Sequence, residues 1–508
     1  MAEQRSFLEG VRPSFAPPRL SGPGRPIAVI DVGSNSVRLV VFESAERAPA
    51  YYFNEKVACG LGAEISRTGR LDPRGRQRAI ATLTRFAALA DRMRVGGLDA
   101  VATAAVREAE DGADFCKAVH RATGLRLRVI SGEEEARLSA LGVLLAEPDA
   151  EGLVVDMGGA SMEIATVAAG AVGERLTLAL GPQRLSGLDG AKLLARIDSE
   201  LARALAALGK GRRPIHLVGG AWRTFAKLQM ARVDHPLRVL HGYSLEMDAA
   251  AEAAAWVAVQ TPETLRAVPG VSAQRAATAP LAALVLSRLI VAFCPPTVLV
   301  SAFGLREGLY YEQLPPVVRA RDPLIDGAKR LELQQARFPG FGRELAGFVA
   351  PIIKPWTADE RRLALAACLL NDVNWRAHPD YRPLSCFETV TRANLTGLDH
   401  AARVFIGFAL LNRYGGGRYS ADVAEALKLL DSTARDRAKT LGRALRLGAM
   451  LSASTSGALA HAKLALTGET LSLHLGRRLR LLNGEAVSRR LTGLADTMGV
   501  AGQLTSSD

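Results

Sequence analysis

The sequence is poor in the residues that build covalently stapled or metal-stapled folds. Its five cysteines, Cys59, Cys116, Cys294, Cys368 and Cys386, are odd in number, widely spaced and free of any Cys-x-x-Cys pair. That pattern argues against zinc and against a disulfide framework, and the thiols are expected to be buried. Long apolar runs are also missing. The best candidate for a membrane span, residues 280–294, is interrupted by Ser287 and Arg288 and reads as a core helix. The first 26 residues are rich in Pro, Gly, Arg and Ser and hold no continuous apolar region. They read as a flexible arm rather than a signal peptide, so a cytoplasmic protein is expected.

What the chain does have is room and positive charge. Its 508 residues suffice for two to four domains with proper cores, and a hydrophobic content of 48% suits a globular enzyme. The formal charge of +13 points to a polyanionic partner, because excess Lys and Arg concentrate anions and speed their capture. An arginine-rich composition with solvated side chains accounts for the same number. Charge alone does not choose between nucleic acid, nucleotide and an inorganic phosphate polymer.

Two apolar runs, residues 27–31 and 153–156, each end in an acidic, glycine-rich turn: Asp31-Val32-Gly33-Ser34-Asn35-Ser36 and Asp156-Met157-Gly158-Gly159-Ala160-Ser161. Each is followed by a second apolar run, 37–42 and 162–167, so both read as strand-turn-strand hairpins. Small residues let backbone N–H groups approach an anion closely, and an aspartate at the strand end is where a metal on that anion would sit. One such turn is ordinary hairpin chemistry. Two, at matching places in domain-sized segments, read as a paired phosphate clamp.

The segment 27–130 alternates strand and helix, an α/β pattern. Ser131 and Glu134 then spell a capping box for a helix running to about Leu145. A second unit repeats the scheme from the hairpin at 153 through a helix at 191–208, a strand at 215–218 and a helix ending near Cys294. From about Gln313 the apolar period becomes helical, and the end of the chain adds a short hairpin, 459–466 and 470–475, followed by a polar tail. The expected domains are an arm (1–26), two lobes (27–138 and 139–313), a helical domain (314–450) and a small C-terminal α+β domain (451–508).

Four motifs, Asp31 to Arg38, Ala102 to Arg107, Ile130 to Arg137 and Asp156 to Glu163, together closely resemble the exopolyphosphatase and guanosine pentaphosphate phosphohydrolase family. The resemblance spans roughly residues 27–312 in the right order. It implies membership of the acetate kinase, sugar kinase, chaperone ATPase and actin superfamily, with two ribonuclease-H-like lobes around a cleft. By the same resemblance Glu135 is the catalytic carboxylate, a general base that orients water in line with a terminal phosphorus. Glu133 and Glu134 read as first-turn acids favoured by the helix dipole. Arg107 is the first candidate to compensate the anion's charge. Asp156 and Glu163 are implied as Mg²⁺ ligands, with Asp31 either sharing the metal or fixing its loop. Mn²⁺ is a candidate substitute and K⁺ a candidate stimulant. Gly33, Ser34, Asn35, Arg38, Gly158, Gly159, Ala160 and Ser161 are implied at the phosphate oxygens.

The third loop of the family commonly reads Gly-x-Ser-Gly-Thr, whereas this chain has Gly220-Ala221-Trp222-Arg223-Thr224. Arg223 can track a phosphate chain and Trp222 can stack on a guanine, so this loop alone leaves both substrates open. The helical domain resembles a His-Asp phosphohydrolase domain whose metal site is lost: Leu369-Leu370-Asn371-Asp372-Val373 stands where the ligands would be, His378 has no spaced partner, and His400 reads as a surface or capping residue. That domain is expected to bind and guide a long anion or to build a dimer. The resulting expectation is a processive, Mg²⁺-dependent exopolyphosphatase, with the polyphosphate chain passing along a basic channel between the lobes and the helical domain. Hydrolysis of guanosine pentaphosphate to tetraphosphate is the alternative, and an ATP-dependent kinase and a non-enzymatic sensor are rival classes. Expected partners are inorganic polyphosphate, guanosine penta- or tetraphosphate and a second copy in a homodimer, without membrane or specific nucleic acid.

Overall fold

The structure, a computed structural model, describes residues 24–415 and 419–507. Most of the expected N-terminal arm therefore lies outside the described residues. The chain divides into two compact units, the first ending at Arg321 and the second formed by Asp322 onward together with the short segment Pro236–Val239. The expected break after residue 313 thus falls eight residues later.

The first unit holds two sheets built on one plan. In the first, β1 (Ile27–Val32), β2 (Ser36–Phe42), β3 (Tyr51–Ala58), β4 (Gly97–Ala102) and β5 (Arg128–Val129) lie in the order 3-2-1-4-5. In the second, β6 (Gly152–Met157), β7 (Met162–Ala168), β8 (Ala171–Leu178), β9 (Ile215–Val218), β10 (Tyr243–Glu246) and β11 (Thr297–Val300) lie in the order 10-11-9-6-7-8. The runs 8-7-6-9 and 3-2-1-4 are equivalent: an antiparallel meander whose first strand pairs in parallel with the strand beyond it. This is the ribonuclease-H-like arrangement. Strands β1 and β6 are buried on both faces, which is why they read as unbroken apolar runs. The meander strands β3 and β8, which the apolar pattern did not announce, are half-exposed along most of their length.

Two helices tie the sheets together. Gly132–Ala146 lays one face on the second sheet through Ala136, Ala140 and Val143. Its other face joins Leu305–Glu312 on the first sheet through Leu138 and Leu309. The two backbones touch, since a Cβ on Gly308 would stand 1.8 Å from the Leu138 carbonyl oxygen. Only glycine allows that approach. Ser131 accepts a hydrogen bond from the Glu134 N–H at 3.1 Å, but the expected reciprocal half of the box is missing, because the Glu134 carboxylate pairs with Arg137 and Arg128 instead. Helix Ala273–Phe293 is long and apolar enough to cross a membrane by length and composition, yet it lies in the core of the second lobe and Arg288 pairs with Asp198 at 2.7 Å.

The second unit is mainly helical. Helices His400–Tyr414 and Ser432–Ser452 pack together, and Glu485–Met498 packs against the latter. A small sheet is made of β12 (Ala462–Thr467), β13 (Thr470–Leu475) and β14 (Ala501–Ser506). The expected polar tail is therefore a helix followed by a third strand, paired in parallel with β13. Asp372 is buried and bound by Arg337 through Nε at 2.9 Å and Nη2 at 2.7 Å, so its charge is already matched. His400 is not at the surface: it is buried, and its Nε2 lies 2.9 Å from the Val239 carbonyl oxygen. Of the thiols, Cys59, Cys368 and Cys386 are buried, but Cys294 is exposed at the end of its helix.

Candidate active site

The two glycine-rich turns converge. Both close with the same hydrogen bond, Gly33 N–H to Ser36 O and Gly158 N–H to Ser161 O, each at 3.0 Å, and both line one cavity of about 240 Å³. The wall of this cavity includes Asp31, Gly33, Ser34, Asn35 and Arg38 from the first lobe. From the second lobe come Asp156, Gly158, Gly159, Ala160, Ser161 and Arg223. Glu135, on the first turn of the helix that bridges the sheets, completes it. The Asn35 amide donates to Gln274 Oε1 at 3.0 Å, linking the lobes at the cavity.

Two residues sit elsewhere. Arg107 is not on the cavity wall: its Nη1 donates to the Ile130 carbonyl at 2.8 Å and pairs with Glu135 Oε2 at 3.5 Å. The strand-end motif thus places this cation against the Glu135 carboxylate. Glu163 lies behind the second turn, 1% exposed. Trp222, which the loop offered as a ring that can stack on a guanine, is fully buried in the core of the second lobe. Helix Gly220–Arg232 begins at the loop itself, and its phase turns Trp222 inward while Arg223 meets the cavity.

The cavity gathers both signs of charge. Glu135 is pushed up to about 8, by burial first and then by Asp156, with Arg107 opposing. Burial also raises Asp156. It raises Glu163 well above the ordinary range, with repulsion from Glu135 adding to it. The Ser161 hydroxyl opposes that rise, but neither Glu163 oxygen accepts a hydrogen bond of ordinary geometry. Ser139, one helical turn beyond Glu135, donates to Asp156 Oδ2 at 2.5 Å. The cavity is also lined by Arg38, Arg223 and three cations that the motifs did not single out: Lys56, Arg275 and Arg306. Arg38 is lowered to about 10, by burial and then by Arg306 and Arg223. Burial likewise lowers Lys56, Arg223 and Arg275. Burial opposes the charge on Arg306, but Glu307 and Asp31 outweigh it and raise its pKa. Crowded cations and crowded carboxylates are each relieved by a bound partner, an anion for the cations and a metal cation for the carboxylates.

The donor set suits a hard cation. Asp156 and Glu163 are directly opposed across the β6–β7 ladder, and all the nearby donors are oxygens. Among the described residues no three His, Cys, Asp or Glu close tightly enough to hold an ion by themselves. Mg²⁺ fits such a site, since it commonly takes one or two carboxylates and completes its shell with water and substrate phosphate. Asp31 is less available, because Arg306 Nη1 holds its Oδ2 at 2.9 Å. Gly219, at φ +106°, lets the turn after β9 cross directly over the acid: a Cβ there would lie 2.6 Å from Asp156 Oδ1.

A paired-turn cleft between two ribonuclease-H-like lobes, lined by carboxylates and cations together, defines a phosphoryl-handling protein of the actin-like superfamily. Sequence comparison narrows that class. The chain matches the Ppx/GppA phosphatase family over residues 40–316 and the exopolyphosphatase C-terminal family over residues 324–504. It belongs to the Ppx/GppA phosphatase family, and its activity is that of a phosphatase. Exopolyphosphatase 1 of Mycobacterium tuberculosis is 28% identical over 323 residues, covering 60% of this chain and 91% of that protein. The solved Ppx/GppA family member from Aquifex aeolicus superposes with a TM-score of 0.51 at 26% identity, over 57% of this chain and 97% of its own. An exopolyphosphatase from Cytophaga hutchinsonii, at 23% identity and a TM-score of 0.52 over 57% of this chain and 99% of its own, shares the fold.

Proposed function

We propose that this chain is an exopolyphosphatase that removes the terminal phosphate of inorganic polyphosphate processively, with Mg²⁺, and with Glu135 as general base. The observation that carries this reading is the gathering of carboxylates and five cations, Arg38, Lys56, Arg223, Arg275 and Arg306, around one cavity that both glycine-rich turns also line. The cations bind successive phosphates of a chain and keep it in place between turnovers. The turns grip the terminal group from both sides. Glu135 orients a water and takes its proton as the water oxygen bonds to the terminal phosphorus. The bond to the bridging oxygen breaks, and that oxygen leaves with the electron pair on the shortened chain. Arg107 holds the Glu135 carboxylate in place through its pairing at 3.5 Å. Asp156 and Glu163 would hold Mg²⁺, which when bound neutralises phosphate charge and polarises the phosphoryl group. Mn²⁺ suits the same oxygens.

Guanosine pentaphosphate is the lesser reading, because no aromatic side chain is among the described residues that line the cavity, and none of them offers a guanine a ring to stack on. The likeness to the family also carries a cytoplasmic homodimer, which sedimentation would read directly. The deciding experiment measures kcat/KM for long polyphosphate and for guanosine pentaphosphate in one preparation without any acceptor substrate. A preference for polyphosphate is expected. A preference for the nucleotide by tenfold or more overturns the substrate assignment, and absence of phosphate release from both overturns the hydrolase.

A further inference from the structure

The five cations around the cavity are not equivalent. Arg306 is held by Asp31 Oδ2 at 2.9 Å, Arg38 by Asn54 Oδ1 at 2.8 Å and Arg223 by the Ala302 carbonyl at 3.2 Å. Lys56 is exposed, so water serves it. Arg275 is half-buried, yet among the described residues its guanidinium has neither a hydrogen-bond partner nor an ion pair, and burial lowers it with no acid to offset the cost.

The backbone around Arg275 is nevertheless fixed. Ser272 caps helix Ala273–Phe293 and accepts from the Arg275 N–H at 3.4 Å, while Thr278 Oγ1 donates to the Gln274 and Arg275 carbonyls at 3.2 and 3.4 Å. Gln274 Oε1 accepts from the Asn35 amide of the first turn at 3.0 Å, which ties this helix start to the opposite lobe. From there the Arg275 side chain comes to rest on Gly220, the first residue of helix Gly220–Arg232. A Cβ on Gly220 would stand 2.6 Å from Arg275 Cζ and 3.0 Å from its Nη1, just as one on Gly219 would meet Asp156. Two consecutive glycines thus lay bare backbone against the acid and, one residue on, against an unpaired guanidinium. That contact decides what can enter. A flat ring between two surfaces needs roughly 7 Å, one van der Waals spacing of about 3.5 Å on each face, and Arg275 already touches Gly220. A neutral ribose or base placed beside Arg275 would also leave its charge without an acceptor, whereas a further phosphate of a chain supplies a charge-assisted hydrogen bond.

We propose that Arg275 is the specificity-determining residue of this cavity, selecting a phosphate chain against a nucleoside. It fills the space over Gly220 that a base or ribose would need, and it leaves a half-buried cation that only an anion satisfies. Specificity is a difference of affinities, and one side chain here works on both terms, attracting the chain and obstructing the nucleoside. The inference rests on the exopolyphosphatase reading of the same cavity.

The test compares kcat/KM for long-chain polyphosphate and for guanosine pentaphosphate in the full chain and in R275A. The matching Kd values are measured in E135Q and in E135Q carrying R275A, so the ratio is read from binding even where no phosphate is released. R275A should weaken polyphosphate by about tenfold or more and leave the nucleotide unchanged or improved. A loss shared equally by both ligands makes Arg275 a general phosphate contact and overturns the proposal, as does an unchanged pair of values. A nucleotide loss larger than the polyphosphate loss shows that Arg275 serves the guanosine, and overturns it too. R275K, which keeps the charge, should restore most of the polyphosphate affinity; failure to restore it removes the electrostatic half of the claim. The preference of the unaltered chain tests the exopolyphosphatase reading, and the change in that preference on R275A tests Arg275, so either fails without the other.

Discussion

Replacing Glu135 by Gln swaps a carboxylate for a neutral amide of nearly the same shape, and the structure bounds what should follow. The side chain is 12% exposed and its cationic neighbour Arg107 remains anchored on the Ile130 carbonyl at 2.8 Å, so the helix and the cavity wall should persist. The cavity-lining cations Arg38, Arg223 and Arg306 are untouched, so KM for polyphosphate should change by no more than about threefold, the loss being one of transition-state rather than ground-state interaction. The loss falls on kcat. A positioned general base supplies roughly 10²–10⁴-fold, or about 3–5 kcal/mol at 1.36 kcal/mol per decade. The variant also removes repulsion from Asp156 and Glu163, both of which are held above their ordinary carboxylate range, so thermal stability should not fall. The assay is phosphate release from long-chain polyphosphate over a range of concentrations, with chain binding measured separately by calorimetry. A kcat within tenfold of the parent, or a loss that appears wholly in KM, refutes Glu135 as the base.

The pH profile follows from the same group. A carboxyl raised to about 8 is mostly protonated, and useless as a base, below that pH, so kcat/KM should rise with pH. The rising limb should move to lower pH as Mg²⁺ is increased, because a cation favours the ionised form; a profile flat from pH 6 to 9 contradicts this. Ser139→Ala removes the donor that holds Asp156 Oδ2 at 2.5 Å. It should weaken Mg²⁺ binding, titrated without substrate, and kcat/KM by roughly 10–100-fold, with S139T restoring most of both; unchanged Mg²⁺ affinity sinks the positioning role. Gly308→Ala forces a methyl against the Leu138 carbonyl, where only 1.8 Å is available. It should cost about 1–3 kcal/mol in denaturant unfolding and lower turnover, since the disturbed helices carry Glu135 and Arg306; an unaltered midpoint would show that the helices part freely.

Much of this site was legible because its chemistry is local. Each turn is a short stretch between two apolar runs, and a strand buried on both faces leaves a plain signal before Asp31 and Asp156. Glu135 was legible for a similar reason, since a serine N-cap fixes where its helix begins. The half-exposed strands β3 and β8 were not, because their residues alternate without a strong apolar face. Lys56, Arg275 and Arg306 were missed for a different reason: they come from an edge strand, the start of a helix and the helix after β11, and only the crossing of the lobes brings them to one cavity. Arg107 and Trp222 show what a motif alone leaves open. Their motif or loop was recognised, but side-chain direction depends on strand end and helix phase, which place one against Glu135 and the other in the core.

The most direct measurement is a crystal structure of E135Q soaked with Mg²⁺ and tripolyphosphate. The account predicts a terminal phosphorus held between the Gly33–Asn35 and Gly158–Ser161 backbones, a water between it and residue 135, and a cation against Asp156. A phosphate chain bound elsewhere in this cavity, with residue 135 turned away from its end, would contradict it.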